Sequence, residues 1–537
     1  MRDNRIEGMA ERLRKQTFLQ GTLILVAAGF LNKVLGFVYR ITLTRLIGDE
    51  GMGLFQMAFP FAMLVITLAT VGLNITISKL VSEAEALKDE RRVYAVLYVS
   101  TGVVVVTSAI LTTLMFVASP LIARYALTDQ RAIYALMGIA PMVPIVAVSH
   151  IFRGYFQGKQ NMFPSASASV LEQVVRIFTV LFFASLLLPR GIEFAAAGGM
   201  IGMVVGEFTG LCLMIYFYQK DPERPRSPRV SGQKRWPPPS GLLRDMFRIS
   251  GPVTASRLIG HVTYAAEPIL VAQSLALAGL ATATATSLYG QLAGMVVPLV
   301  FFPGFLTNAL SVSLVPAIAE AAARQDELAI HWRLKQSFRL SLFVGAPCAA
   351  VMVVLAEPLC LLIFGNADAG RLMQLMAPFT ILAYVQAPFA AVLQGLDRAK
   401  DATRNSIVGT VAKSVLILLL GSQPSLGIDG VVIAINTGIV IVTLLHIGSI
   451  AKIVNFTFDL REIAKVLLAM LVTGWTCYLC VSLWFASYPL PLAVALSLLC
   501  SAIVYFGVVV WLRLLAQNDV QYMPLVGKYL ARLFPKK

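Results

Sequence analysis

Apolar runs of roughly 18 to 25 residues recur along the chain from Phe18 to Leu512, separated by short polar connections. At about 1.5 Å rise per residue, each can cross the ~30 Å hydrocarbon core of a bilayer as a helix. Windowed hydropathy separates about 14 of them. The runs are rich in Val and Ile, but apolar residues follow one another without the alternation of a membrane barrel. The pattern predicts an all-α polytopic membrane protein.

Composition agrees with the pattern. Of 537 residues 58% are hydrophobic and 13% charged, with a mean hydropathy of +0.77. Soluble domains carry about 25% charged residues. The deficit runs the length of the chain, so one anchor helix does not explain it. Met1 to Gln16 is charged and lacks an apolar core, which predicts a cytoplasmic amphipathic lead-in rather than a cleavable signal. The six cysteines lie in or at the ends of apolar runs, so no disulfide framework is expected. Cys477-Tyr-Leu-Cys480 has redox-motif spacing but sits inside a span, where packing is the simpler role.

The net charge is +16. Such a charge raises the question of nucleic acid, but topology accounts for it better. With the amino terminus inside, 34 of the 44 lysines and arginines fall in the cytoplasmic connections, among them 153–164 and 219–248. The outer connections hold only Arg124, Arg131, Arg190 and Arg371. This is the positive-inside asymmetry. It predicts a multi-pass protein of the bacterial cytoplasmic (inner) membrane with both termini cytoplasmic and no nucleic-acid partner.

The chain also repeats itself. Ala140-Pro141 and Gln157-Gly158 recur as Ala377-Pro378 and Gln394-Gly395, an offset of 237. Arg176 and Lys413 obey the same offset, as do Glu83 and Glu320. Both halves start on the cytoplasmic side, so the repeats are parallel. The expected organisation is a lead-in (1–17), an N-lobe of six spans (18–218) and a Pro- and Arg-rich linker (219–245). A C-lobe of six spans (246–451), two further spans (452–512) and a basic tail (513–537) follow.

Charges inside spans are costly, at least ~2.5–3.5 kcal/mol each, and should face protein or a hydrated cavity. The cations there are Lys33, Arg40, Arg45, Arg176, Arg257 and Lys413, and the acids Glu172, Glu207 and Glu267. Gly29, Lys33, Gly36 and Arg40 share one helical face that joins small residues to cations. Lys33 is near mid-span, which suits a cavity; Arg45 can snorkel to headgroups. Glu172 and Arg176, spaced i,i+4, can neutralise each other. Lys413 has Gly409 at i−4 and lacks that local partner, so it suits substrate or gating contact, or a retained structural role. Arg257, His261, Tyr264 and Glu267 lie along one stripe, as cavity lining or as a structural Arg–Glu pair. No Walker A loop, HExxH or GxSxG occurs, so no ATP-driven step, metal, cofactor or enzymatic activity is expected.

The motifs carry a family resemblance. Asn32-Lys-Val-Leu-Gly-Phe-Val-Tyr-Arg40, with Thr44-Arg45-Leu-Ile-Gly48, resembles the first helix of MurJ-type lipid II flippases. Phe302-Pro303-Gly-Phe-Leu-Thr-Asn-Ala309-Leu310 with Leu314-Val-Pro316 resembles their eighth. Over nearly its full length the chain resembles the multidrug/oligosaccharidyl-lipid/polysaccharide exporter superfamily, and Gly21 to Pro60 the stage V sporulation protein B type. The resemblance implies two lobes around a cationic cavity and alternating access. Lys33 matches a cavity arginine; a second such arginine falls at Tyr39, beside Arg40, and a third at Gln291.

The function expected is a flippase for an undecaprenyl-pyrophosphate-linked sugar, a peptidoglycan (lipid II-like) or polysaccharide precursor. Lys33, Arg40, Arg257 and Lys413 would bind substrate, with Glu172, Arg176, Glu267 and Gln291 supporting or coupling. Na⁺ or H⁺ coupling, or the membrane potential, would drive it, and cell-wall synthesis enzymes are candidate partners. A cation-coupled drug or metabolite exporter of the same superfamily is the alternative; it needs a carboxylate-centred cavity, for which Glu207 and Glu267 are available. A membrane glycosyltransferase or scaffold would want large outer loops, and these are short.

The topology can be checked by cysteine labelling. A membrane-impermeant thiol reagent applied outside should miss Ser227→Cys and reach Gly191→Cys; efficient outside labelling at 227 would invert the topology.

Overall fold

The computed structural model describes residues 18–225, 239–454 and 459–514. The expected lead-in, most of the linker and the tail from 515 lie outside them. The described residues are helical throughout, without strands. In order they form α1 (Phe18–Thr70), α2 (Leu73–Ala86), α3 (Glu90–Leu121), α4 (Ala132–Ile139), α5 (Met142–Gly158), α6 (Phe163–Leu187), α7 (Ile192–Lys220), α8 (Pro239–Leu277) and α9 (Thr282–Tyr289). Then come α10 (Val297–Phe301), α11 (Gly304–Ala323), α12 (Glu327–Val354), α13 (Ala356–Phe364), α14 (Ala369–Gly395), α15 (Ala399–Gly421), α16 (Ile428–Val454), α17 (Leu460–Leu479) and α18 (Leu490–Trp511).

Thirteen stretches among the described residues are long and apolar enough to cross a membrane. The first, Ala27–Ala86, is 60 residues long, enough helix for two crossings. The chain breaks there at Gly48, whose φ of 70° and ψ of −174° leave helical geometry. Helix α8, which carries Arg244, Arg248, Arg257 and Glu267, is not among the thirteen. It continues through Pro268.

The described chain forms two compact units. One holds residues up to 272 together with 281–290; the other holds 273–280 and 291 onward. Within the first, α7 packs on α6 through a glycine stripe. Gly198, Gly202 and Gly206 recur every four residues and lie against the backbone or β-carbons of Phe183, Val180 and Arg176. Hydrocarbon gives helices no hydrophobic reason to associate, so close backbone approach must supply the attraction. A Cβ at Gly206 would stand 2.9 Å from that of Arg176. The stripe thereby places the next residue, Glu207, within reach of Arg176.

Segment α9 is held to the first unit by polar contacts. Thr286 Oγ1 donates to Asp129 Oδ2 at 2.8 Å, and Arg131 bridges Asp129 (2.9 Å) and Glu50 (2.7 Å). Burial alone would push the Asp129 carboxyl up, but hydrogen bonds from the Arg131 and Thr286 side chains hold it below its ordinary value. In the second unit, α17 and α18 pack on α12. Arg339 of α12 pairs with Glu462 of α17, and Tyr505 of α18 donates to the Phe343 carbonyl at 2.8 Å.

One contact occurs once in each unit. A Cβ at Gly158 would lie 2.7 Å from Val81 Cβ and 2.8 Å from the Ser78 carbonyl. A Cβ at Gly395 would lie 2.7 Å from Ile318 Cβ and 2.8 Å from the Val315 carbonyl. Every member of the second contact is the first displaced by 237 residues. Gly158→Ala and Gly395→Ala should each lower stability by ~1–3 kcal/mol through overpacking. Gly29→Ala, with nothing within 4 Å, should not. Thermal melts of the purified variants decide it; two glycine variants as stable as Gly29→Ala would refute the close packing.

Candidate functional site: a polar cavity in the first unit

A cavity of about 310 Å³ opens inside the first unit. Its walls come from α1 (Met63, Ile66, Thr67, Thr70), α5 (Ser149, His150, Arg153), α6 (Ser169, Glu172), α7 (Glu207) and α8 (Arg257, His261). Helical spacing explains the convergence. Val146, Ser149 or His150, and Arg153 recur every three or four residues on α5, and Arg257 and His261 are i,i+4 on α8.

The charges are tightly coupled. Glu172 accepts from Arg176 through Oε1 and from Arg153 through Oε2, the latter at 3.0 Å. Arg176 also reaches Glu207 at 2.6 Å and donates to Gln173 Oε1 at 3.1 Å. Arg153 donates to Ser149 Oγ at 3.3 Å. Both carboxylates are more than 90% buried, so their pairing is what makes the burial tolerable. Arg176 stands behind the wall; Arg153 forms part of it. With Arg257, three arginines face two glutamates, an excess of one positive charge before either histidine is protonated. His150 lies within electrostatic reach of Arg153, Arg257 and Glu172.

The residues expected from sequence divide into groups. Arg257 and Glu172 meet at the cavity, and Arg176 pairs with Glu172 across one helical turn as its spacing predicts. Lys33 is exposed on α1, outside the cavity wall. Its neighbour Asn32 donates to Ser169 Oγ at 3.0 Å, so the adjoining face of α1 is the one turned to α6. Arg40 is half-buried on α1, and Glu267 half-buried on α8. Lys413 and Gln291 belong to the second unit. Lys413 is half-buried, its β-carbon 3.0 Å from where a Cβ on Gly438 would lie, and Gln291 is buried in the π-helical turn Gly290–Val296.

Arg153, which the sequence reading put in a cytoplasmic connection, is a cavity residue that the reading did not single out. It lies inside α5, more than a turn from the end of that helix. Glu172 and Ser149 satisfy it, and the helix continues past it to Gly158. The stripe Ser149, His150, Arg153 was the signal available. Glu207 was noted as an intramembrane acid, but its link to Arg176 depends on the glycine stripe of α7.

The chain belongs to the multidrug/oligosaccharidyl-lipid/polysaccharide exporter superfamily of transport proteins, as its family profiles and relatives show. Its fold is similar to that of the lipid II flippase MurJ in an inward closed conformation, with a TM-score of 0.68 at 12% identity over 90% of this chain and 98% of that one. It is also similar to an inward-facing multidrug resistance MATE family transporter, with a TM-score of 0.64 at 16% identity over 79% and 94%. These likenesses concern the fold. The chain belongs to the polysaccharide biosynthesis protein family, whose profile matches residues 18–322; a MatE profile matches 271–419. It is 40% identical to stage V sporulation protein B of Bacillus subtilis (strain 168) across 97% of this chain and all of that protein.

Proposed function

We propose that this protein is a flippase that carries an undecaprenyl-pyrophosphate-linked sugar, a peptidoglycan or polysaccharide precursor, from the inner to the outer leaflet of the bacterial cytoplasmic membrane by alternating access. The observation that carries the reading is the first-unit cavity, in which Arg153 and Arg257 outnumber the charge that Glu172 and Glu207 leave after neutralising Arg176. Such a site attracts an anion. At ~30 Å³ per water its 310 Å³ would hold about ten waters, room for a diphosphate and part of a sugar.

A further feature supports an anionic cargo. The diphosphate also suits the membrane potential, since moving each negative charge outward gains ~2.3 kcal/mol per 100 mV. Lys33 and Arg40 on α1 add cations to the first unit outside the cavity, with Glu267 on α8; Lys413 and Gln291 belong to the second unit. Cell-wall synthesis enzymes would supply and consume the precursor.

The pair Glu172 and Glu207 favours a second reading, a drug or metabolite exporter driven by Na⁺ or H⁺, because carboxylates in a cavity can take up cations. The excess of arginine around them weighs toward the anionic cargo.

Complementation of a precursor-export mutant at matched membrane levels tests the proposal. Arg257→Ala should remove one charge-assisted contact worth ~1.5–3 kcal/mol, about ten- to a hundredfold in affinity. Arg257→Lys should keep most function, because phosphate accepts either cation. Arg257→Glu should be worst. Wild-type export in Arg257→Glu would remove the cationic-site reading.

A further inference from the structure

Glu172 has two oxygens and two arginines, and the arginines differ in what else they touch. Arg176 is anchored from behind the cavity wall, paired with Glu172 Oε1 and Glu207 Oε1 and bonded to Gln173. Among the described carboxylates Arg153 pairs with Glu172 Oε2; it also donates to the Ser149 hydroxyl and faces the cavity. Its side chain is 22% exposed against 13% for Arg176. Without Arg153, Glu172 would keep its pair with Arg176, which it shares with Glu207. Detaching Arg176 would strand the buried Glu207, a loss that buried ion pairs do not tolerate.

We infer that Glu172 is a resident counter-ion for Arg153 which the diphosphate of the cargo displaces. This rests on the flippase reading above and deepens it. Arg153, with His150 one turn away on its own helix and Arg257 of α8 lining the same cavity, is then the cation released to the phosphate when cargo arrives, and Glu172 reclaims it when cargo leaves. The exchange addresses a difficulty every carrier of a charged head group meets. A site with permanently bare arginines would be costly to hold in the membrane when empty and slow to release its cargo. An internal carboxylate lowers both costs at the expense of affinity.

A structural ion pair and a displaceable counter-ion make opposite predictions for Glu172. As a structural pair, Glu172 would organise Arg153, and its loss would weaken anion binding. As a competitor, it withholds Arg153, and its loss strengthens binding. The groups facing it are Arg153, His150 and Ser149 from α5, Arg176 and Ser169 from its own helix, Glu207 from α7, and Arg257 and His261 from α8.

The experiment is calorimetric titration of the purified full-length protein with inorganic pyrophosphate and, as a second arm, a short-chain isoprenyl pyrophosphate. Glu172→Gln should bind pyrophosphate roughly tenfold more tightly than wild type, and Arg153→Ala roughly ten- to a hundredfold more weakly. Glu172→Asp keeps the charge but shortens its reach by one methylene, and should also tighten binding, by a few fold. That variant separates competition from a change in net charge and serves if Glu172→Gln does not fold. The isoprenyl arm should show the same order with higher affinity, which assigns the site to a lipid-linked diphosphate; equal affinity in both arms would assign it to free phosphates and overturn the cargo-displacement claim. Unchanged or weaker binding in folded Glu172→Asp, or no loss in Arg153→Ala, would overturn the exchange itself. Export by wild type with affinities indifferent to these substitutions removes only this inference. The expected affinities without export of a lipid-linked sugar remove the flippase reading and leave an anion site.

Discussion

Hydrocarbon offers no water to a buried charge, so each charge within the spans must be answered by protein. That constraint organises the first unit. Arg176, buried where α6 meets α7, is shared by Glu172 and Glu207, and Arg153 answers the charge that remains on Glu172. Arg176, Glu172 and Glu207 can meet only because Gly198, Gly202 and Gly206 let α7 approach α6 almost backbone to backbone. A run of glycines that would weaken a helix in water is here what assembles an ion cluster.

With that cluster closed, the cavity keeps a surplus of positive charge on its surface. Arg153 and Arg257 stand on different helices, α5 and α8, with histidines beside them. A transport site must bind well enough to select and weakly enough to release. An arginine shared between a fixed carboxylate and an incoming phosphate satisfies both demands without a change in fold. The same logic separates this cavity from a carboxylate-dominated one, which would attract cations and suit a drug or ion carrier.

Much of this was legible in the sequence. The continuous apolar runs gave the all-α polytopic class, and the i,i+4 spacing of Glu172 and Arg176 gave their pair. The 237-residue offset foretold contacts repeated in each unit, such as Gly158 on Val81 and Gly395 on Ile318. What stayed hidden involved partners distant along the chain. Arg153 drew no attention because hydropathy scores residues singly and cannot see Glu172 nineteen residues on. Lys33 drew attention by its depth, yet the cavity wall is built from other helices and the second half of α1. Which of several intramembrane charges share a cavity is a property of helix rotation and crossing, which no local pattern encodes.

The central claim is that the protein moves an anionic lipid-linked sugar between leaflets. Proteoliposomes carrying the purified protein and a fluorescent undecaprenyl-pyrophosphate-linked sugar test it directly, by the accessibility of the label to a membrane-impermeant quencher. The account predicts protein-dependent loss of label from the inner leaflet, faster when a potassium diffusion potential makes the lumen negative. Label that stays in its original leaflet, at the rate of protein-free liposomes with or without the potential, would contradict it.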